Sequence, residues 1–266
     1  MTLLEIIILA IIQGVTEFLP ISSSAHLLLP AELFGWVSQG LAFDVAVHVG
    51  SLLAVVIYMR KEISMLTVGF LKHGFSKNQS NESKLAWSVV IATVPIIIVG
   101  YLMKDWIALN ARTALVMAVT TIGFGLLLWY ADVKASLTRK LDSMGFSSAI
   151  IIGLSQVLAL IPGTSRSGIT MTSSLMLGFD RESAAKFSFL LSIPAILGAG
   201  LFSTIELIQQ TEAVDWMALL YGAGFSFVSA YLCIYLFLNW ISRVGMLPFV
   251  IYRLTLGTIL LWFVFG

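Results

Sequence analysis

The sequence predicts an all-α polytopic membrane protein, with six transmembrane helices and two re-entrant helical hairpins in two inverted-topology repeats. Of its 266 residues 59% are hydrophobic and only 11% are charged, and its long apolar runs fall into two similar series. Soluble domains carry roughly 25% charged residues. The composition therefore excludes an ordinary soluble domain, and the chain has no block of basic residues that could bind nucleic acid.

The first element, residues 3–36, is predicted to be a re-entrant hairpin. The apolar run from Leu3 to Ile12 is too short to cross a bilayer core of about 30 Å, which takes about 20 apolar residues. Pro20 ends this helix, and the serines at 22–24 can cap a second helix that returns to the same side. Irregular backbone at this depth is tolerated only inside protein or beside water, so the break is a candidate functional site.

Three runs long enough to cross the membrane follow, and they complete a first repeat over residues 1–131. The spans are predicted at 41–59, 85–103 and 113–131. The connector 60–84 contains a polar stretch, 73–83, which predicts an exposed loop. Residues 132–146 form the linker between the two halves.

The second half, residues 147–266, has the same order of elements. A second hairpin is predicted over 147–178, where Pro162 aligns with Pro20 of the first. Three more spans follow, at 184–207, 216–238 and 248–265. Because each half crosses the membrane an odd number of times, the second repeat should be inverted relative to the first.

The distribution of lysine and arginine predicts the orientation. One set of loops carries eleven basic residues, and the opposite set carries two, Lys104 and Arg112. By the positive-inside rule the first set, which includes the linker 132–146, is cytoplasmic. Both termini and the mouth of the first hairpin should therefore be outside.

Polar residues at the two breaks form the candidate site. Helix N-termini that meet at the midplane attract anions, so the amides following 22–24 and 164–167, with Arg166, are predicted to bind phosphate. The alternative for Arg166 is snorkelling or neutralising a buried acid. Gln13 and Glu17 share a helix face. Glu17 should bind a divalent cation or accept a proton, and the alternative is a buried ion pair.

Several further polar residues lie inside the apolar segments. The serines at 22–23 and His26 share a face of the returning helix, which predicts a hydroxyl or imidazole nucleophile beside an acid or base. The alternatives are that the serines cap the helix and that His26 satisfies a carbonyl. Asp44 and His48 either support the residues of the site from outside it or form a polar patch that stabilises the bundle, and we favour the patch. Arg253 either assists with phosphate or anchors the last span.

Two motifs resemble those of the integral-membrane undecaprenyl-pyrophosphate phosphatase family, which is linked to bacitracin resistance. The first stands here as Gln13-Gly-Val-Thr-Glu17 and continues to His26, and the second is Pro-Gly-Thr-Ser-Arg-Ser-Gly-Ile-Thr at 162–170. The tail 248–253 is also similar, and the resemblance covers essentially the whole chain. It implies hydrolysis of undecaprenyl diphosphate to undecaprenyl phosphate and inorganic phosphate, which recycles the carrier lipid for cell-wall synthesis.

The resemblance also assigns roles to residues of this sequence. The expected catalytic residues are Glu17, Ser23, His26 and Arg166. The expected substrate-binding residues are Gln13, Ser22, Ser24, Gly163, Thr164, Ser165, Ser167, Thr170 and Arg253. A divalent cation, Mg²⁺ or Ca²⁺, is expected at Glu17 with Gln13 beside it, and Glu17 and His26 should approach each other across the Pro20 break. Whether Ser23, His26 or water attacks stays open.

The expected setting is the bacterial inner membrane, with the site opening to the extracytoplasmic side and membrane lipid around it. A homodimer is compatible with the sequence, which does not determine the oligomeric state. The chain departs from the family at Ala25, where glycine is common, and at His48, where we expect glutamine. The alternative function is a polyprenyl-phosphate transporter or flippase, because secondary carriers also use inverted repeats with broken helices.

Overall fold

The computed structural model describes residues 1–36, 40–76, 79–208 and 215–265. These residues form eleven α-helices and two short 3₁₀ helices, with no β-strand among them. Six of the helices are long and apolar enough to cross a membrane. The prediction of an all-α polytopic membrane protein with six spans is confirmed.

The helices follow the predicted order, except that the fourth helix lies in the connector 60–84, where no helix was predicted. They are α1 (Leu3–Phe18), α2 (Ser23–Phe34), α3 (Gly40–Tyr58), α4 (Arg60–His73), α5 (Asn81–Asn110), α6 (Ala114–Lys134), α7 (Phe146–Gln156), α8 (Arg166–Met176), α9 (Arg181–Ile208), α10 (Trp216–Val244) and α11 (Leu247–Phe265). The six spans are α3, α5, α6, α9, α10 and α11. The pairs α1–α2 and α7–α8 occupy the two predicted hairpins.

Each hairpin breaks at a serine with an unusual backbone conformation. Ser22 has φ 74° and Ser165 has φ 70°, in the left-handed region that costs a residue other than glycine about 1–3 kcal/mol. The buried glutamines Gln13 and Gln156 are separated by the same number of positions as these serines. The two hairpins therefore match when Ser22 is aligned with Ser165. This alignment differs by one residue from the predicted alignment of Pro20 with Pro162.

Glycines bring the first arm of each hairpin close to a span of the other half. A Cβ on Gly14 of α1 would lie 2.5 Å from the Ser226 carbonyl oxygen of α10. A Cβ on Gly153 of α7 would lie 2.6 Å from Ala92 Cα of α5. Helix pairs in membranes commonly pack through such small residues. The two halves exchange contacts in the same way, although the inversion of the second half stays a prediction.

The connector 60–84 is more helical than predicted. Helix α4 occupies its first part, because Ile63 and Leu66 lie one turn apart and pack against the hydrophobic core. Helix α5 begins at Asn81, where the Ser80 hydroxyl accepts a hydrogen bond from the Ser83 amide at 3.3 Å. The predicted loop 73–83 is therefore too long at both ends, and residues 77–78 lie outside the described chain.

The linker between the halves is tied to its neighbours. Asp132, at the end of α6, accepts hydrogen bonds from Arg181 at 2.6 and 3.1 Å and from the Met246 amide at 3.1 Å. Arg139 forms an isolated bridge with Phe179, just after the second hairpin, and its guanidinium stacks 4.1 Å from that ring. These contacts fix the cytoplasmic end predicted for the second hairpin against α6, α9 and α10.

Candidate active site

The two hairpin breaks meet at a cavity of about 270 Å³. Its polar lining comes from α1, α2, α3 and the start of α8, and its apolar lining from α5, α9 and the segment after α7. The lining residues are Glu17, Ser22, Ser23, Ser24, His48, Ile96, Ala159, Ser165, Arg166, Ala195, Ile196 and Ala199. An apolar cavity with a few convergent polar groups is the usual form of a small-molecule site.

The Glu17 carboxylate lies at the centre of the polar groups. Its Oε1 accepts a hydrogen bond from Arg166 Nη2 at 2.9 Å. Its Oε2 accepts one from Ser23 Oγ at 2.7 Å and one from Gln13 Nε2 at 3.1 Å. The Glu17 side chain is only 8% exposed. The buried ion pair that the sequence offered as an alternative is therefore present, but it lines the cavity together with a hydroxyl.

Arg166 begins α8 and reaches across to two other helices. Besides Glu17 of α1, its guanidinium donates from Nη1 to the Ser188 carbonyl of α9 at 3.0 Å. The Ser188 hydroxyl in turn accepts a hydrogen bond from Thr170 Oγ1 at 2.8 Å. Sequence reasoning missed Ser188, which has no motif and shows only as a hydroxyl within an apolar span.

Matching serine pairs flank the starts of α2 and α8. The hydroxyls of Ser22 and Ser24 are 3.3 Å apart, and those of Ser165 and Ser167 are 3.1 Å apart. The Ser165 hydroxyl also caps α8 by accepting from the Gly168 amide at 3.0 Å. Residues at the starts of both helices line the cavity, and helix N-termini favour an anion.

His48, rather than His26, is the histidine beside Glu17. His48 Nε2 lies 3.9 Å from Glu17 Oε2, and both residues line the cavity. His26 Nδ1 donates to the Ser22 carbonyl at 2.7 Å, and its Nε2 accepts from the Tyr252 hydroxyl at 2.6 Å. The predicted approach of His26 to Glu17 is therefore replaced by contacts to the strained break and to α11. Tyr252 had no signal in the sequence beyond its position next to Arg253.

Arg253 does not reach the cavity. Its side chain is fully buried, and its N–H groups all donate to backbone carbonyls of the two breaks and of α6. A break at membrane depth frees carbonyl oxygens that water cannot satisfy, and a guanidinium offers five donors. The acceptors are Pro20 at 3.1 Å, Gly163 at 3.0 Å, Thr164 at 3.0 Å, Thr121 at 3.1 Å and Thr120 at 3.4 Å.

The remaining predicted substrate-binding residues lie next to the two breaks, and most of them are outside the cavity lining. Ser167 Oγ donates to the Leu19 carbonyl at 2.7 Å and so ties the second hairpin to the first. Gly163, with φ 89°, supplies a carbonyl to Arg253, and Thr164 and Thr170 are fully buried. The structure places Ser22, Ser24 and Ser165 at the cavity, and it places Gln13, Gly163, Thr164, Ser167 and Thr170 outside its lining.

The expected divalent cation stays a prediction, and the oxygens at Glu17 are of the type that Mg²⁺ binds. No group of three or more His, Cys, Asp or Glu side chains that could bind a metal occurs in the part of the chain that the structure describes. Gln13 Oε1 is a buried oxygen with no hydrogen-bond partner there, and it lies on the side chain that contacts Glu17. Mg²⁺ commonly binds through one or two carboxylates plus substrate phosphates.

Comparison with known proteins identifies the family. The family model described as "Bacitracin resistance protein BacA" matches residues 6–259. The chain is 73% identical to the undecaprenyl-diphosphatase of Alteromonas mediterranea over 100% of both chains. It is 57% identical to undecaprenyl-diphosphatase 1 of Pseudoalteromonas translucida over 99% of each, and 56% identical to the undecaprenyl-diphosphatase of Hahella chejuensis over 98% of each. The chain belongs to the bacitracin resistance protein BacA family.

Proposed function

We propose that this multi-pass membrane protein hydrolyses undecaprenyl diphosphate to undecaprenyl phosphate and inorganic phosphate. The relatives that match it over their full length carry the name undecaprenyl-diphosphatase. The observation that carries the proposal is the placement of Ser23 Oγ, 2.7 Å from the Glu17 carboxylate, beside the Arg166 guanidinium. In this proposal Ser23 is the nucleophile, Glu17 is the base and the Arg166 guanidinium binds phosphate, and all three residues line one cavity.

The diphosphate binds at the two helix N-termini. Arg166 presents a planar set of N–H donors that matches the oxygens of a phosphate, and its two observed bonds use only two of its five N–H groups. The first-turn amides of α2 and α8 add partial positive charge. When Arg166 donates to the phosphate, its hydrogen bond to the Glu17 carboxylate weakens. The carboxylate is then able to accept a proton.

Ser23 is the attacking group in this proposal. Its oxygen attacks the terminal phosphorus while Glu17 takes the hydroxyl proton, and the bond from that phosphorus to the bridging oxygen breaks. Undecaprenyl phosphate leaves with the bridging oxygen and its electron pair. Glu17 then releases its proton to that departing oxygen and becomes a carboxylate again. Water, losing a proton to Glu17, attacks the phosphorus of the phosphoserine, the bond from that phosphorus to Ser23 Oγ breaks, and the serine oxygen takes the proton back from Glu17 as inorganic phosphate is released. His26 acts as a positioning residue, because its bond to the Ser22 carbonyl holds the break that presents Ser23.

A divalent cation, Mg²⁺ or Ca²⁺, completes the site in this proposal. The Glu17 carboxylate would hold it, with Gln13 beside it and the diphosphate oxygens as its other ligands. When bound, the cation offsets the negative charge of the diphosphate next to a carboxylate. Its contribution is therefore electrostatic, and the proton transfer belongs to Ser23 and Glu17.

We place the protein in the bacterial inner membrane with the site open to the extracytoplasmic side. The basic-residue asymmetry supports this orientation, because the linker 132–146 belongs to the basic set. Leu109, at the end of α5, is 83% exposed and should be outside. Labelling of Leu109→Cys by a membrane-impermeant maleimide in intact cells, with no labelling of Asp142→Cys, tests the orientation. A homodimer stays a prediction.

The lipid has a path between α5 and α9. A second cavity, of about 340 Å³, continues from the active site, and the two share three lining residues, Ile96, Ala195 and Ala199. Its lining passes Lys104, which follows Ile96 on α5 by roughly 12 Å of helix, and extends to Ile107 and Arg112. Its walls are mostly apolar and include Gly198. This groove suits the first isoprene units of a substrate whose diphosphate lies at Arg166.

Gly198→Phe should therefore raise the KM for undecaprenyl diphosphate about tenfold and change the KM for dimethylallyl diphosphate by less than about twofold. Displacing about two buried methylene equivalents, at about 0.8 kcal/mol each, gives that factor. Gly200→Phe is the matched control, because a Cβ on Gly200 meets no atom within 4 Å. If Leu236→Trp raised the KM for undecaprenyl diphosphate and Gly198→Phe did not, the lipid would instead bind in the cavity of about 480 Å³ beside α10.

The proposed function predicts phosphate release from undecaprenyl diphosphate by the purified protein in detergent. EDTA should lower the rate, and added Mg²⁺ or Ca²⁺ should restore it. Transfer of lipid between leaflets without phosphate release, under any metal condition, would favour the carrier that the inverted-repeat plan also allows. If EDTA does not change the rate of phosphate release, the proposed hydrolysis stands and the proposed divalent cation is wrong.

A further inference from the structure

We propose that His48 supplies an imidazole nitrogen to the divalent cation at Glu17, so that this site binds Mn²⁺ more tightly than a site with only oxygen ligands. The inference rests on the cation of the proposed function and deepens it. It assigns a ligand, His48 Nε2, on a helix that carries neither sequence motif. It also names the class of ion that the ligand favours.

The geometry allows one ion to contact both side chains. His48 Nε2 and Glu17 Oε2 are 3.9 Å apart, which is too far for a hydrogen bond. Two neighbouring ligands at about 2.1 Å from an octahedral ion are about 3.0 Å apart, so the two side chains need to approach each other by about 1 Å to bind one ion. Both residues line the active-site cavity, so an ion between them can also reach a bound diphosphate.

The hydrogen bond at the other ring nitrogen fixes the orientation of the ligand. His48 Nδ1 lies 2.7 Å from the Asp44 carbonyl oxygen, which can only accept, so Nδ1 carries the proton. Nε2 is the ring nitrogen that faces Glu17, and a cation that binds there takes the place of any proton on it. Histidines that bind metals commonly donate their other N–H to a carbonyl or carboxylate in this way, which fixes both the tautomer and the ring.

The nitrogen changes which ions are favoured. Ca²⁺ takes oxygen ligands, whereas imidazole is a suitable ligand for first-row transition metals. Glutamine at this position, as the family resemblance leads us to expect, would offer an oxygen instead. The variant His48→Gln therefore separates the nitrogen ligand from the rest of the site.

The test is direct Mn²⁺ binding, followed by electron paramagnetic resonance, to purified protein without an affinity tag. The chain contains only three histidines, so a nitrogen signal can be assigned. We compare the wild type with His48→Gln and with His73→Gln, a matched control at the exposed end of α4. Ca²⁺ affinity is measured on the same samples by competition.

We expect electron spin-echo modulation from a coordinated nitrogen in the wild type and in His73→Gln, and its loss in His48→Gln. The Mn²⁺ affinity should fall about tenfold in His48→Gln, while the Ca²⁺ affinity changes less than about threefold. Equal Mn²⁺ affinities without a nitrogen signal, or no Mn²⁺ binding by the wild type, would overturn the proposal. Phosphate release is measured separately. The Mn²⁺ result therefore tests the role of His48, and phosphate release tests the proposed hydrolysis.

Discussion

Ser23→Ala and Glu17→Gln should each slow phosphate release by on the order of a thousandfold or more, and the double variant should be little worse than either. The Ser23 hydroxyl donates to Glu17 Oε2 at 2.7 Å, so the two groups act as one nucleophile and base. Removing either partner stops the same step. Turnover of purified protein in micelles measures the effect, and the fold of each variant is checked by its melting temperature.

A covalent intermediate distinguishes attack by Ser23 from attack by water. Rapid acid quenching of the wild type should trap phosphoserine on the peptide that contains Ser23, and Ser23→Ala should show none. Ser24→Ala is the neighbouring control, since its hydroxyl bonds Ser22 while lining the same cavity. It should cost less than about tenfold. Near-normal turnover of Ser23→Ala would remove the serine from the chemistry and leave water or His26 as the attacking group.

The features that were predictable from sequence are those where polar groups interrupt apolar runs. Each such interruption is costly in lipid, so the breaks near Pro20 and Pro162 and the intramembrane Glu17 and Arg166 stand out. Span lengths follow equally directly, because a bilayer of fixed thickness sets them. Family motifs then added Ser23, whose hydroxyl the structure places on the Glu17 carboxylate.

The sequence could not show which of several neighbours a buried polar side chain faces. His26 and His48 are both single histidines in apolar segments, and a rotation of either helix decides which one meets Glu17. The structure turns His26 toward Tyr252, more than two hundred positions along the chain, and turns His48 toward Glu17. Arg253 is likewise a residue type that commonly binds phosphate. Only the structure shows that its guanidinium donates to five backbone carbonyls instead.

Arg166→Lys and Arg253→Lys should fail in different ways. At Arg166, lysine replaces a planar fork with a point charge, so activity should fall by on the order of a thousandfold while the melting temperature changes little. At Arg253, an ammonium offers three donors where the guanidinium bonds five carbonyls. Each buried carbonyl left without a partner costs about 1–3 kcal/mol, so unfolding should become easier by several kcal/mol.

The comparison of the two variants decides the role of Arg253. Both proteins are purified in the same detergent, and their melting temperatures are measured beside phosphate release. A large fall in the melting temperature of Arg253→Lys, with any surviving folded protein still binding the lipid diphosphate, would fit a clamp on both breaks. An unchanged melting temperature with weaker diphosphate binding would instead return Arg253 to the phosphate-binding role that its sequence position suggests. We expect the clamp because Pro20 belongs to the first hairpin and Gly163 and Thr164 belong to the second, and the Arg253 guanidinium bonds the carbonyls of all three.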